Sequence, residues 1–298
     1  MRASQTVLPF KLAASDESLT AHAGLVLFDE YLGAMGIAGL INHELPGAGS
    51  AAGYDPSAHV APLVLMLAGG GRTLEDLRVL RRDDGLRCVV GLDEMPSSDA
   101  SGDWMRRMGA NESGGLAGLQ RVNRCVFRRL FHCMNKTDKA FRLIVLRRPR
   151  EQDLFEDKSL YRYHAIASNR PNEDAAVTMG WYSQRGDASE NRIKDLKVGF
   201  GMEYMPCGSF QANAVFFAIG VLTYNLYLGF RSDALGSGWE RSQVQTVRWR
   251  LFQTAGKIVR HGRQVFLQIG AVMLDMFAAI RERCARIMRE GGAISETS

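Results

Sequence analysis

One short segment gathers the residue types that metal-assisted phosphate chemistry needs. It reads Trp181-Tyr-Ser-Gln-Arg-Gly-Asp-Ala-Ser-Glu-Asn-Arg-Ile-Lys-Asp-Leu-Lys197. Ser189 is placed to cap a helix that begins at Glu190. Glu190, Lys194 and Lys197 then recur at i, i+4 and i+7 and share one face, while Tyr182 and Arg185 stand three apart on the preceding helical turn. A carboxylate flanked by an arginine, a lysine and a tyrosine can bind a metal ion while the cations hold phosphate. On spacing alone, an exposed helix with a single ion pair is the stronger reading.

The elements around this segment follow from periodicity and turn residues. A short strand running into a helix is expected over Leu19–Gly33, and the glycines and prolines from Pro46 to Pro56 mark a loop. Ser57–Leu67 is an apolar helix ended by Gly69-Gly70-Gly71. Thr73, with Glu75 and Asp76 behind it, starts a helix over Leu74–Arg82. Asp84–Val90 is another helix, and Ser98 or Asp99 can cap a further one reaching Met108. That pair, with Trp104, Arg106 and Arg107 on its second member, has the outline of a helix-turn-helix; a packed helical hairpin has the same outline. Gly115–Phe131 is a basic amphipathic helix. Strands are expected over Phe141–Leu146 and Tyr161–Ala167, and helices over Asp174–Gln184 and Ser189–Leu196. Val247–Thr254 and Lys257–Gln268 alternate and flank Ala255-Gly256, with a second turn at His261-Gly262, which reads as a hairpin or meander. Val272–Arg289 is a terminal helix with a basic face.

Composition narrows the classes. Of 298 residues, 46% are hydrophobic and 23% charged, a globular balance that excludes a disordered chain. The net charge is +5 and the charge is unevenly spread. Residues 121–150 hold ten Lys or Arg against one acid, Asp138, and residues 241–290 hold ten against Asp275, Glu282 and Glu290. Clustered arginine is the footprint of a polyanion partner, and equally of a solvated helix face. Five cysteines, Cys88, Cys125, Cys133, Cys207 and Cys284, have no metal-ligand spacing, and their odd number fits reduced thiols in a cytoplasm. The mixed, polar first twenty residues do not read as a secretory signal. Phe210–Gly229 is uncharged and about as long as a bilayer span, but Gln211, Asn213, Thr223 and Asn225 favour a helix buried in a protein core.

Tyr182, Arg185, Glu190 and Lys197 resemble the Tyr–Arg–Glu–Lys signature of a large group of bacterial insertion-sequence DDE transposases. Four residues separate Arg185 from Glu190 where many relatives have three, and Asn191 follows the glutamate. Flanking stretches extend the resemblance along nearly the whole chain. Gly-Gly-Arg-Thr-Leu-Glu-Asp-Leu-Arg at 70–78, Pro-Ser-Ser-Asp-Ala-Ser-Gly-Asp-Trp-Met-Arg-Arg at 96–107 and Gly-Leu-Ala-Gly-Leu-Gln-Arg-Val-Asn-Arg at 115–124 resemble the family's N-terminal domain. Met-Asn-Lys-Thr-Asp-Lys-Ala-Phe-Arg-Leu at 134–143, Tyr-His-Ala-Ile-Ala-Ser-Asn at 163–169 and Phe-Gly-Met-Glu-Tyr-Met-Pro-Cys-Gly at 200–208 resemble the region around the glutamate.

The resemblance implies a mixed α/β chain. A mainly helical, DNA-binding region over 1–132 would precede a partial RNase H-like catalytic region over 133–290 and a disordered tail over 291–298. It implies Glu190 as a catalytic carboxylate and Mg2+ ligand, with Tyr182, Arg185 and Lys197 on the phosphates of the element's ends; Lys194, Arg106 and Arg107 join them as DNA-binding candidates. The implied partners are DNA at terminal inverted repeats, further copies of the chain, and an intact transposase, in the cytoplasm and without a membrane. In relatives, two more catalytic aspartates lie between the basic helix and the strand that resembles Phe141–Leu146. Here the helix ending near Leu130 runs almost directly into Met134-Asn135-Lys136, and no apolar strand bearing Asp intervenes. Asp153, Glu156 and Asp157 follow a strand, but match a non-catalytic stretch of relatives and read as a polar loop. The expectation is an internally deleted, cleavage-defective copy. The apolar faces of Phe210–Gly229 and Val247–Gln268 should lack part of their usual partner, leaving hydrophobic surface exposed or promoting self-association.

Overall fold

The computed structural model describes residues 15–48, 53–92, 95–131, 142–149, 161–168, 174–184, 192–240, 242–261 and 263–290. Helices dominate. A short strand β1 (Ser18–Thr20) leads into α1 (Leu25–Ala34), α2 (Ile37–Glu44) and α3 (Pro56–Gly69). Helix α3 stops where Gly70 takes φ 108°, a left-handed conformation that glycine alone adopts without penalty. Where a helix start was expected at Thr73, Thr73 and Asp76 form a reciprocal capping box over a tight turn at Leu74–Asp76, followed by α4 (Leu77–Arg82) and α5 (Asp84–Val90).

Ser97, rather than Ser98 or Asp99, caps α6 (Ser98–Ala110), its hydroxyl accepting the Ala100 N–H at 3.1 Å. Extended backbone at Ser97 (ψ 166°) aims that side chain at the first free N–H groups, a position the helical φ/ψ of Ser98 and Asp99 denies them. α7 (Ala117–Phe131) is the basic amphipathic helix.

The expected strands at 141–146 and 161–167 form an antiparallel hairpin, β2 (Arg142–Pro149) with β3 (Tyr161–Ser168). Ile144 and Ile166 face each other across it and pack with Met179 of α8 (Ala175–Gln184) in a small core of their own. Farther on, α9 (Phe210–Gly229) spans the apolar stretch as expected. The alternating run Val247–Thr254 is not a strand. It is the short helix α10 (Val244–Val247) continuing into a wide helical turn over Arg248–Phe252. Val244, Val247 and Leu251 are all buried, and their spacing of three and four is helical; over so short a run it also mimics alternation. The strands of that region begin only at β4 (Gly256–His261) and β5 (Gln264–Ile269), which pair antiparallel with His261 opposite Gln264; Gly262 of the expected turn lies outside the described residues. β1 adds to the outer edge of β4, giving an antiparallel sheet in the order β1-β4-β5. The terminal helix α11 (Ala271–Arg289) follows.

The mixed α/β expectation is therefore met only in part: the described strands make two small, separate antiparallel sheets in a mostly helical protein. A second expectation is met only in part. Helix α9 does not lack partners, because α3, α6 and α7 surround it. Val215, Phe216, Ile219 and Leu222 are fully buried and lie in one cluster with Leu63 and Val64 of α3, Trp104 and Met105 of α6, and Val122 and Val126 of α7. Burial on that scale is worth roughly 2 kcal/mol per large side chain, and it joins the two halves of the chain in one core. By length and composition Phe210–Leu235 could cross a membrane, but 67% of its most apolar window is buried inside the protein. Apolar surface is nevertheless exposed in both expected stretches: Phe210 at the start of α9 is 85% exposed, and Trp249, Val265 and Phe266 are 77%, 49% and 44% exposed.

Candidate functional site

The segment from Tyr182 to Lys197 bridges two kinds of support. Upstream, α8 is fixed at its start by Asp174, whose Oδ1 accepts the Ala176 N–H at 2.8 Å and the Val177 N–H at 3.2 Å. Tyr182, near the other end, is half-buried against the Ile144–Ile166–Met179 core. Arg185 and Glu190 lie outside the described residues, so no geometry attaches to either. Downstream, residues 192–194 are helical and widen into a turn over Asp195–Gly199.

That turn is bolted to the rest of the protein from below. Phe200 is fully buried, with ring centroids 5.7 Å from Tyr224 and 5.6 Å from Tyr227 of α9. Arg248 donates to the Gly199 carbonyl at 2.6 Å and to the Ala68 and Leu67 carbonyls at the end of α3, both at 2.7 Å. Its guanidinium also sits 5.4 Å over the Phe200 ring. Burial lowers the Arg248 pKa to about 10, and three carbonyl acceptors, two of them at the C-terminal end of α3, keep the charge tolerable. Arg231 donates to the Ser242 carbonyl at 2.9 Å. Burial raises the Asp195 carboxyl, against the pull of Arg231 and Lys194.

With its inner side fixed, the turn presents Lys194 and Lys197 to solvent, beside Ile193 and Val198, which are also exposed. Lys194 and Lys197 are thus both exposed on this segment, three residues apart. Arg106 and Arg107 stand on a different element, α6. Arg106 is paired with Asp103 one turn away. Arg107 lines a cleft of about 270 Å³ with Gly47, Gly53, Tyr54, Trp104 and Met108. Sequence reasoning missed Arg248 and Phe200, which position the turn. The arginines Arg248 and Arg250 inside the otherwise apolar run Val247–Phe252 were the available signal, since a buried charge must find acceptors.

A solvent-facing pair of lysines on a rigid turn suits a phosphate backbone. The family model described as transposase DDE domain group 1 matches residues 138–289, just over half of the 298-residue chain. The chain belongs to this family of DDE transposases. Neither a curated protein nor a solved structure matches it.

Membership places the DDE domain in the C-terminal half and brings DNA as the partner. The matched segment begins just after Asn135-Lys136-Thr137 and runs through the β2–β3 hairpin and the Tyr182–Lys197 segment to the end of α11. DDE transposases typically use Mg2+. Among the described residues no three His, Cys, Asp or Glu side chains converge to hold a metal ion. The described residues of this member therefore do not by themselves provide for Mg2+, and Glu190 lies outside them.

Proposed function

We propose that this chain binds the DNA ends of an insertion sequence but no longer cuts or joins them. The observation that carries this reading is the short connection ahead of the hairpin. Helix α7 ends at Phe131 and β2 begins at Arg142, and Asp138 is the only acid in the interval. By the resemblance, relatives place two catalytic aspartates and most of an RNase H-like sheet in that interval. Two divalent ions ~4 Å apart carry this class of displacement, and their mutual repulsion must be offset by several carboxylates. Glu190 alone, proposed as the remaining catalytic carboxylate and metal ligand, cannot hold such a pair.

What remains is a phosphate-binding surface. Tyr182, Arg185, Lys194 and Lys197 serve as contacts to the terminal inverted repeats, with Arg106 and Arg107 contributing from the mainly helical region 1–132. Exposed Val265 and Phe266 on β5, with Val272 and Leu274 on α11, support self-association. The same surface would let the chain pair with an intact transposase and inhibit it, in the cytoplasm. A gel shift with labelled inverted-repeat and random duplexes tests the binding half of this reading. The double substitution Lys194→Ala/Lys197→Ala should weaken repeat binding roughly tenfold at moderate salt. Unchanged affinity would remove the turn from the interface.

A further inference from the structure

Away from the Tyr182–Lys197 segment, α4 and α5 meet at an elbow whose outer side is a cleft of about 380 Å³ lined by Arg78, Arg81, Arg82, Arg87 and Met95. Four of its five lining residues are arginines, which is unlike the mostly apolar pocket that a small organic ligand fills. Arg78, Arg81 and Arg82 recur at i, i+3 and i+4 and so occupy one face of α4. Arg87 reaches in from α5 and is held in place by backbone: Nε donates to the Leu92 carbonyl at 3.2 Å and Nη1 to the Arg81 carbonyl at 3.1 Å.

Of the nearby described acids, two are committed elsewhere and two pair with cleft arginines. Asp76 accepts the Arg72 and Thr73 N–H groups, both at 2.8 Å. Asp83 turns inward, accepting the Thr20 hydroxyl at 2.6 Å and the Leu86 N–H at 2.8 Å. Glu75 pairs with Arg78 at 2.8 Å and Asp84 with Arg87 at 3.1 Å. Both are exposed pairs of the kind that contributes little and yields readily to a competing anion. No hydrogen bond or ion pair to Arg81 or Arg82 side chains is present among the described residues, and both are exposed. The elbow therefore carries surplus positive charge in planar, forked donors whose geometry suits phosphate oxygens.

We infer that this arginine cleft is a second DNA contact, one that grips the phosphate backbone of duplex DNA without reading its sequence. The inference rests on the DNA-binding reading above and adds a site to it. Helix α4 is six residues long, roughly 9 Å. Since one strand of duplex DNA carries a phosphate about every 3.4 Å of axis, that length spans two or three phosphates, matching Arg78, Arg81 and Arg82. Arg87, fixed at the elbow, sets the depth to which the backbone settles.

The test compares the wild-type chain with Arg81→Gln/Arg82→Gln on a random-sequence duplex and on an inverted-repeat duplex. Fluorescence anisotropy is read from 50 to 200 mM salt, alongside thermal melts. The expected result is weaker binding to both duplexes by the same factor, with the slope of log K against log salt reduced by about 2 and an unchanged melting temperature. Wild-type binding with an unaltered slope in the variant would overturn the cleft as a contact while leaving the DNA-binding reading intact. A lowered melting temperature with an unaltered slope would make the arginines structural and overturn it as well. Absence of wild-type binding to either duplex at 50 mM salt would sink both proposals together.

Discussion

His59 shows how a single buried side chain ties local chemistry to stability. Only 4% exposed, it stacks on Trp104 with ring centroids 4.9 Å apart and planes 10° from parallel, while Tyr54 meets its edge at 5.8 Å. Its Nδ1 has no hydrogen-bond partner among the described residues. Burial, reinforced by Arg107, lowers its pKa from 6.5 to about 4. A base whose folded pKa is depressed binds protons more readily when unfolded. Its contribution to stability is thus complete above pH 6.5 and is lost as pH falls towards 4. Two and a half units correspond to roughly 3 kcal/mol at the acid end. His59→Phe keeps the stack and removes the titration, so urea unfolding of the variant should lose that much of the wild-type decline between pH 6.5 and 4. An identical decline in both proteins would assign the pH dependence to other groups. None of this was legible in the sequence, where His59 is one polar residue on an apolar helix. The candidate site was partly legible: the spacing of Lys194 and Lys197 announced a shared face, but their anchors, Phe200 and Arg248, are defined only by tertiary packing.

Helices announced themselves through capping residues and a 3.6-residue period, which is why α3, α5, α9 and α11 fall close to their expected limits. The misreading at Val247–Thr254 has a physical cause. A stretch of under ten residues with a bulky apolar side chain at nearly every second position satisfies both periods, and only the burial of Val244, Val247 and Leu251 against the core separates them. Contacts between elements were not legible at all, and one glycine shows how tight they are. A Cβ built on Gly109 of α6 would fall 2.6 Å from the Gln211 backbone at the start of α9. Gly109→Ala should therefore force α6 and α9 apart and cost at least about 2 kcal/mol in urea unfolding. Gly33 in α1 meets nothing within 4 Å, so Gly33→Ala should be neutral or gain up to ~1 kcal/mol from helix propensity alone. Equal effects at the two positions would contradict the packing described here.

At the scale of the whole molecule, the N-terminal helices and the transposase segment fold as neighbours in one core. α9, from within the matched family segment, packs on α3, α6 and α7. The helical N-terminal region could be anticipated from its sequence, but its role as the packing partner of α9 could not, because amphipathic faces do not specify which other face they meet. In this arrangement α9 finds its packing partners among the N-terminal helices; the proposed loss of the two aspartates would leave Glu190 as the remaining catalytic carboxylate. The central claim is a chain that holds DNA ends without cutting them. It is tested most directly by a strand-cleavage assay on duplexes carrying the element's terminal inverted repeats, with Mg2+ and then Mn2+, under conditions where binding is confirmed. The account predicts bound, uncut DNA with either metal ion, and the same result for Glu190→Gln. Metal-dependent nicking at the repeat ends that Glu190→Gln abolishes would contradict it and return Asp153, Glu156 and Asp157 to consideration as catalytic carboxylates.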